Sequence, residues 1–378
     1  MKKIKALICK GVAYAYASMN RRLRRNGVVR GLNSFLSACD DQYIRSCSYY
    51  KDEALKSPQK IREEISHLVL SGKEESVAPQ QVFERYMIVG ADRASVNIDD
   101  YMFLGESQRL QYGSDPAKPS ILANKVFALV YLAARGVPVS RILGQVDEKC
   151  VFHNMDDTEV MPFHDWLEQR EGAVFCKQPD GMQGSSCFVL EKEGDHYLCS
   201  GKPTTWEELS ALSPRLQVEE VIPQHEEMAA IYPQSVNTCR IVTGYKDGEA
   251  SLFACFALFG AGGVRTSNGH SGGIFVSIDE NGYLGETGFR ILTKGGGVYK
   301  QHPDTGVEFA GRRVPFFKEA IAIALKAHRF MPIFRSVGWD VAITPAGPII
   351  IEGNTHWGIV YHEIFDGGLR KKAYELLS

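Results

Sequence analysis

The spacing of apolar residues predicts helices in some stretches of the chain and strands in others. Apolar residues recur every three or four positions at 59–70 and again after Ser120, where Gly136 and Pro138 would end the second helix. Between residues 173 and 354, short apolar runs are separated by turns that contain Gly, Pro or Asp, a pattern typical of strands. Because both patterns occur, the predicted fold class is α+β.

Individual elements follow from these patterns. The chain predicts helices at 163–170, 206–212 and 314–328, and strands at 173–177, 187–190, 196–199, 216–222, 240–245, 251–258 and 274–278. The helix capped by Ser120 has a predicted buried stripe of Val126, Leu129, Val130 and Ala133. Three parts result: a mainly helical region at 1–115, a small α+β module at 145–222, and a core made of 116–144 with 223–378.

The last predicted hairpin carries the most informative polar residues. Two apolar strands flank residues 344–347, where Pro and a final Gly at positive φ predict a three-residue turn. In that register Asp340 faces Glu352, and strand alternation places both on one face with Asn354. Carboxylate and amide oxygens on rigid strands suit a hard cation, most naturally Mg²⁺ held with nucleotide phosphates. The alternative is a surface hairpin with polar ends in water, and a shift of one residue would separate the acids.

A Gly- and Ser-rich loop between the strands 173–177 and 187–190 has the composition of an anion-binding loop. Its exposed backbone N–H groups and hydroxyls would surround phosphates, and Lys177 at the end of the first strand would add a positive charge. The loop residues concerned are Gly181, Gly184, Ser185 and Ser186. Lys125 is a candidate for the second cation that a triphosphate needs. The alternative is a flexible hairpin tip; no helix follows, which excludes a Walker or Rossmann loop.

A candidate hinge lies at Glu220, Val221 and Ile222, where a strand runs into Pro223. Backbone groups of such a strand can bind an adenine edge without a specific side chain. Glu227 follows at a distance from which it could accept hydrogen bonds from a ribose.

A second polar loop, residues 265–273, is a candidate acceptor site. Arg265 could pair with a substrate carboxylate, and His270 could take a proton from an attacking amine. The alternatives are an ordinary glycine turn and a structural histidine.

Composition and charge narrow the class of protein. The net charge of −2 gives no global attraction to nucleic acid, and the nine scattered cysteines contain no CxxC pair, which favours a reducing cytoplasm. Residues 1–30 are the exception, with nine Lys or Arg and no acid. They predict a basic amphipathic helix at an anionic membrane surface, a signal peptide, or a basic helix packed on its own domain. Lys10 argues against the signal peptide, and no apolar run is long enough to span a membrane.

Taken in order, several of these stretches resemble the ATP-grasp superfamily, and most closely its branch found beside sugar-transfer and surface-polysaccharide genes. The resemblance covers roughly residues 120–365. It is carried by residues 124–125, Lys177 with its glycine loop, 219–222 with 224–227, the Ser-Val-Asn-Thr-Cys-Arg run at 235–240, and the Gly-Trp-Asp and Glu-Gly-Asn runs of the hairpin at 338–340 and 352–354.

The resemblance implies roles for the residues above. Lys125 and Lys177 would contact ATP phosphates, with Lys177 also near the adenine; the hinge would hold the adenine, and Glu227 or the adjacent Glu226 the ribose. The hairpin oxygens would coordinate one or two Mg²⁺. Arg240 would lie beside the transferred phosphoryl group, and the module at 145–222 would close over ATP as a lid.

The implied function is an ATP-dependent carboxylate–amine ligase that forms an amide through an acyl phosphate. Its expected partners are small molecules, a carboxylate such as a uronic-acid sugar and an amine such as an amino acid, in polysaccharide biosynthesis in the cytoplasm. A peripheral membrane contact through the basic N-terminus is compatible with this. The alternatives are an amino-acid or peptide ligase unrelated to glycans, a phosphotransferase that stops after phosphorylation, and a nucleotide-binding module without catalysis.

Overall fold

The computed structural model describes residues 102, 104–112, 120–178, 187–194, 196–212, 215–264, 267–291, 294–366 and 368–377. The chain divides into two compact units, one made of 1–113, 289–298 and 358–378 and the other of 114–288 and 299–357. Helices and strands are mixed, as the α+β prediction requires. Apart from Met102 and one helix, the region predicted to be mainly helical lies outside the described residues.

The helices of the described residues are short. In chain order they are α1 (Leu104–Tyr112), α2 (Ser120–Ala123), α3 (Lys125–Ala133), α4 (Phe163–Gln169), α5 (Trp206–Leu212), α6 (Glu226–Ile231), α7 (Phe317–Arg329), α8 (Ile359–Asp366) and α9 (Arg370–Leu377). The first unit contains α1, α8 and α9, and the second contains the others.

One sheet of the second unit is built from residues 142–220. Its strands are β1 (Ile142–Val146), β2 (Val151–Asn154), β3 (Val160–Pro162), β4 (Val174–Lys177), β5 (Cys187–Glu193), β6 (His196–Cys199), β7 (Lys202–Thr204) and β8 (Leu216–Glu220). They lie in the order β3-β2-β1-β8-β4-β5-β6-β7. One face packs on α4 and α5 through a core that includes Phe152, Val174, Cys176, Leu190 and Val218. The opposite face of β8, β4 and β5 does not take part in this core.

A second sheet forms around the long strands near the C-terminus. Its strands are β9 (Thr238–Lys246), β10 (Glu249–Phe259), β11 (Ile274–Ile278), β12 (Leu284–Phe289), β13 (Val298–Tyr299), β14 (Ser336–Thr344) and β15 (Gly347–Asn354), in the order β13-β12-β11-β10-β9-β14-β15. Helix α7 contacts β9, β10, β14 and β15, and α3 contacts β15. Trp339 and Phe259 are fully buried in this core.

Both chain connections between the two sheets are hydrogen-bonded to the hairpin of β14 and β15. Before β1, Ser140 N donates to Ile350 O at 2.9 Å, and Ile350 N donates to Pro138 O at 3.0 Å. After β8, His225 N donates to Ile343 O at 2.8 Å. The eight-stranded sheet is therefore attached at both ends to one hairpin.

Helix α3 differs from the prediction in its buried face. Val130 and Ala133 are exposed, whereas Ala128 and Leu132 are buried beside Val126 and Leu129. The sequence Lys-Val-Phe-Ala-Leu-Val-Tyr-Leu-Ala is apolar on every side, so spacing alone does not select the face that packs.

Several predicted boundaries also differ. The helix after Ser120 breaks at Asn124, whose Oδ1 accepts a hydrogen bond from Phe127 N at 3.1 Å and caps α3. Helix α7 begins at Phe317, three residues later than predicted, because Phe316 adopts a left-handed conformation with φ 51° and cannot continue a right-handed helix. The hairpin turn has a two-residue loop, since Thr344 pairs with Gly347.

A buried polar network connects α7 to the two central strands. Trp339 Nε1 donates to Thr243 Oγ1 at 2.9 Å, and Thr243 Oγ1 lies 2.7 Å from His328 Nδ1. His328 Nε2 lies 3.0 Å from Phe334 O and donates to it. The ring is therefore the neutral Nε2–H tautomer, with Nδ1 accepting from the threonine hydroxyl. Burial lowers the pKa of His328 to about 4.

This network predicts a pH-dependent stability. The folded state resists protonation of His328, while the unfolded chain takes up the proton near the ordinary pKa of 6.5. Stability is therefore fully present above pH 6.5 and falls as the pH drops towards 4, by roughly 3 kcal/mol at most. Urea unfolding of wild type and His328→Gln at several pH values should show a shallower dependence in the variant. Equal slopes would contradict the assignment, and His196→Gln, on the surface, serves as the control.

Candidate functional site

A β-bulge sets the positions of the two hairpin carboxylates. Counting from the turn, regular pairing would place Ile351 opposite Asp340. The register instead shifts between Asp340 and Val341, so that Glu352 lies opposite Asp340. The predicted pairing of the two acids is thus present, although a bulge produces it rather than the predicted turn.

Asp340 is the centre of the polar contacts on this hairpin. Arg240 on β9 donates from Nε to Oδ1 at 2.6 Å and from Nη2 to Oδ2 at 3.1 Å, a bidentate pair. Asn354 donates from Nδ2 to Oδ2 at 3.2 Å. Burial raises the pKa of Asp340, the Arg240 charge opposes this, and the charge of Glu352 raises it further. Four residues predicted for the site are therefore brought together.

Lys125 joins the same group from the start of α3. Its Nζ lies 3.5 Å from Glu352 Oε1. A lysine in the first turn of a helix is disfavoured by the helix dipole, and α3 has no acidic residue there to offset it. Its position is better explained by the carboxylate, and by the anion that the pair would bind, than by helix stability.

The face of the eight-stranded sheet opposite α4 and α5 carries a second, buried charged group. Lys177 lies opposite Gln217 on β8 and Cys187 on β5, and it forms a close ion pair with Glu219. Gln217 Nε2 donates to Glu219 Oε1 at 2.5 Å. Gln217 is 0% and Glu219 2% exposed. Among the described residues Gln217 Oε1 has no hydrogen-bond partner, which leaves a buried acceptor on this face.

Sequence analysis did not assign Gln217 or Glu219 to the site. The sequence of β8 contains a pattern that could have identified them. The polar residues Gln217 and Glu219 alternate with Leu216 and Val218, which form an apolar face of the strand. A central strand with two buried polar residues on one face needs partners on that face.

The two charged groups are close enough to act on one thiol. Burial raises the pKa of Cys187, the charges of Lys177 and Lys125 lower it, and those of Glu219 and Glu352 raise it. Charged residues of both sheets therefore contribute to the electrostatic environment of Cys187.

The candidate hinge continues from the end of β8. Glu220 N donates to Arg141 O at 3.0 Å, and its carboxylate accepts from Arg141 Nη1 at 2.9 Å. The side chain is thus engaged by an exposed arginine. Val221 and Ile222 follow the strand in irregular backbone, and strand β8 ends two residues earlier than predicted.

Glu227 lies in the first turn of α6. Its backbone N donates to His225 Nδ1 at 3.2 Å, and its carboxylate lies 3.7 Å from Arg312 Nη1. Glu226 is exposed in the same turn. No contact among the described residues joins either carboxylate to the two charged groups.

His270 lies on a short 3-10 turn, Gly269–Ser271, where its backbone N donates to Asn268 Oδ1 at 2.9 Å. Its side chain is exposed. The remaining predicted site residues lie outside the described residues: Gly181, Gly184, Ser185, Ser186 and Arg265.

The hairpin residues fit a divalent cation by their chemistry. Within the described part of the chain, no three His, Cys, Asp or Glu side chains gather as a complete metal site. Asp340, Glu352 and Asn354 supply two carboxylates and an amide, which are hard oxygen donors. Burial is the main reason for the raised pKa of Asp340, and the charge of Glu352 adds to it; a bound cation would offset both effects. Phosphate or water oxygens would have to complete the coordination.

Comparison with known proteins identifies the family. The family described as sugar-transfer associated ATP-grasp matches residues 111–376, more than half of the chain. None of the curated proteins compared with the chain matches it.

Among solved structures, the chain resembles the VanG D-Ala:D-Ser ligase from Enterococcus faecalis, at 12% identity and a TM-score of 0.42, over 72% of this chain and 70% of that one. It resembles an N5-carboxyaminoimidazole synthetase from Staphylococcus aureus complexed with ADP, at 10% identity and a TM-score of 0.39, over 68% and 52%. It also resembles an ADP complex of N5-carboxyaminoimidazole ribonucleotide synthetase, at 12% and 0.36, over 62% and 45%. The chain thus spans about half the length of some of these proteins. The family match alone decides the assignment, and the chain belongs to the sugar-transfer associated ATP-grasp family, with the ATP-grasp fold.

Proposed function

We propose that the protein is an ATP-dependent carboxylate–amine ligase. The observation that supports this proposal is a set of three ion pairs, Lys125–Glu352 and Arg240–Asp340 at the hairpin and Lys177–Glu219 on the eight-stranded sheet. The cations Lys125, Lys177 and Arg240 are the groups that a polyphosphate requires. Family membership supports ATP as the phosphate donor.

Most residues of the candidate site have an assigned task. Lys125 and Lys177 bind ATP phosphates, and Asp340, Glu352 and Asn354 hold Mg²⁺, which neutralises phosphate charge when bound. Arg240 orients the phosphoryl group that is transferred. Backbone groups at Glu220, Val221 and Ile222 bind the adenine, and Glu227 or Glu226 binds the ribose. The glycine loop and the module at 145–222 close over the nucleotide and exclude water.

The chemistry has two steps. A substrate carboxylate attacks the γ-phosphorus of ATP, the bond to the β,γ-bridging oxygen breaks, and ADP leaves with an acyl phosphate formed. The amine then attacks the acyl carbon, phosphate leaves, and the amine loses a proton, for which His270 is the candidate base. Arg265 pairs with a substrate carboxylate. A free carboxylate is a poor acyl donor, so phosphorylation supplies the leaving group.

The classes of substrate are a separate and more specific part of the proposal. The family description supports a sugar-linked role, from which we infer a uronic-acid type of carboxylate and an amino acid or other amine, in surface-polysaccharide biosynthesis. No helix of the described residues is long and apolar enough to cross a bilayer. A cytoplasmic location, with the basic segment 1–30 at an anionic membrane surface, is compatible with the charge pattern.

The test follows ADP release with MgATP across a panel of uronic acids and amino acids. The expected result is ADP release that requires an acid and rises with an amine. Hydroxylamine added in place of the amine should give a hydroxamate, because it traps an acyl phosphate. ADP release without hydroxamate would instead indicate a phosphotransferase acting on a hydroxyl group. No ADP release with any pair would contradict the ligase assignment.

A further inference from the structure

Phe316 carries an exposed aromatic ring on an unfavourable backbone conformation. Its φ angle is 51°, in the left-handed region, and 39% of the residue is exposed. This region places Cβ too close to the following carbonyl oxygen, and a bulky residue rarely adopts it. Glycine or asparagine would adopt it at a lower cost. Such strain is concentrated at functional sites, and it persists only where surrounding contacts hold it in place.

The other non-glycine residues with positive φ in the described part of the chain have an ordinary explanation. Cys150, Ser200 and Asp247 lie in the turns that join β1 to β2, β6 to β7 and β9 to β10, where a positive φ suits a tight hairpin. Phe316 instead precedes α7 directly, and its side chain makes no capping hydrogen bond. Neither a hairpin nor a helix cap therefore accounts for this phenylalanine.

The ring of Phe316 contacts the histidine at the start of α6. The ring centroids of Phe316 and His225 are 5.9 Å apart and the rings are inclined by 78°, which is an edge-to-face contact. His225 is the N-cap of α6, and its Nδ1 accepts a hydrogen bond from Glu227 N at 3.2 Å. The phenylalanine thus braces the imidazole that holds the first turn of this helix.

The Glu227 carboxylate is held from the other side by the segment that leads to Phe316. Arg312 Nη1 lies 3.7 Å from Glu227 Oε2, and Arg312 Nε donates to Glu308 O at 2.9 Å, which fixes the guanidinium group. The Glu227 side chain is nevertheless 54% exposed. The contacts therefore restrict the position of this carboxylate and leave it open to a ligand.

We propose that Phe316 is a positioning residue, which acts through His225 to hold the Glu227 carboxylate where it accepts hydrogen bonds from the 2′- and 3′-hydroxyls of a ribose. A carboxylate that is ordered before binding loses less conformational entropy when the diol arrives. The inference rests on the proposed function, which gives the ribose to Glu227 or Glu226. The contacts with His225 and Arg312 select Glu227.

The experiment measures the affinities for ADP and 2′,3′-dideoxy-ADP by isothermal titration calorimetry in excess Mg²⁺. Wild type is expected to bind ADP about tenfold more tightly, because the analogue lacks both donors. Phe316→Gly removes the ring and relieves the backbone strain. It is expected to bind ADP about fivefold more weakly than wild type does and to bind the dideoxy analogue equally well. Phe316→Tyr keeps the ring and is expected to retain the preference for the diol.

Asp247→Gly is the matched control, because it also removes a side chain from a residue with positive φ. It lies in the turn between β9 and β10 and should match wild type with both nucleotides. Circular dichroism confirms that each variant is folded. Should Phe316→Gly not fold, Phe316→Asn, which tolerates the left-handed conformation, is measured in the same way and must show the same selective loss.

The outcomes separate this inference from the proposed function. Equal losses of affinity for both nucleotides in Phe316→Gly would show a general effect on the site and overturn the inference, as would an unchanged preference for the diol. Wild type that binds both nucleotides equally would also overturn it, while the nucleotide site would stand. If wild type binds neither nucleotide, the proposed function fails and the inference fails with it.

Discussion

Asp340→Asn is expected to lower ADP release by about a thousandfold or more while the protein remains folded. The substitution preserves the shape of the side chain within β14 but removes the charge that faces Glu352 and pairs with Arg240. In the proposed site the metal would lose an anionic ligand, and Arg240 would lose one carboxylate oxygen as an acceptor and with it its fixed orientation. Both effects would act where the proposed function places phosphoryl transfer.

The measurement is steady-state ADP release with MgATP and the best substrate pair from the panel, together with circular dichroism and a thermal unfolding curve. Glu249→Gln provides the matched control, because it removes one carboxylate charge from the same sheet at an exposed position. Turnover of Asp340→Asn within tenfold of wild type would remove Asp340 from the catalytic centre.

Asn237→Ala is expected to lower the free energy of unfolding by about 3–5 kcal/mol. Asn237 is fully buried. Its Nδ2 donates to Met228 O at 2.9 Å and Tyr232 O at 2.8 Å, and its Oδ1 accepts from Gly260 N at 3.2 Å. Alanine removes the acceptor of Gly260 N in a place that water reaches poorly, which costs about 1–3 kcal/mol. Met228 O and Tyr232 O keep the donors Tyr232 N and Gln224 Nε2, so each of those two lost bonds costs about 0.5–1.5 kcal/mol.

Urea unfolding followed by tryptophan fluorescence would give the difference. Asn281→Ala, an exposed turn residue, is the control and should change the free energy of unfolding by less than about 0.5 kcal/mol. A cost below about 1 kcal/mol for Asn237→Ala would mean that water or another side chain replaces the amide.

The sequence pattern was sufficient to predict the helices and strands and the polar residues of the β14–β15 hairpin. Long apolar strands and the polar residues at their ends predicted the hairpin; the predicted pairing of Asp340 with Glu352 is present, but a bulge produces it and the predicted turn does not. The bulge at Ile351 was not predictable, since it depends on how β15 packs in the whole sheet. The turn prediction was wrong by one residue, since Thr344 pairs directly with Gly347.

The charged group on the eight-stranded sheet was harder to predict from the sequence. Glu219 and Gln217 lie in a strand whose neighbours β1 and β4 are far away in sequence, so their burial follows from sheet order rather than from local pattern. Asn237 was recognised as part of a motif, but its role as a buried hub appears only when α6 and β10 are folded around it. Helix α3 could not be predicted in full for a different reason. Its sequence is apolar on all sides and so does not indicate which face packs.

The double attachment of the eight-stranded sheet has a mechanical consequence. Its entry and exit are both fixed to the hairpin, through Ile350 and Ile343, so any rotation of that sheet turns about an axis next to the strands that carry Asp340 and Glu352. In the proposed function this sheet opens as a lid, and Lys177 and Glu219 would move with it while the hairpin acids stay in place. Such an opening would divide the charged residues into two groups that are each neutral, so that product could leave while the pairs Lys177–Glu219, Lys125–Glu352 and Arg240–Asp340 stay intact.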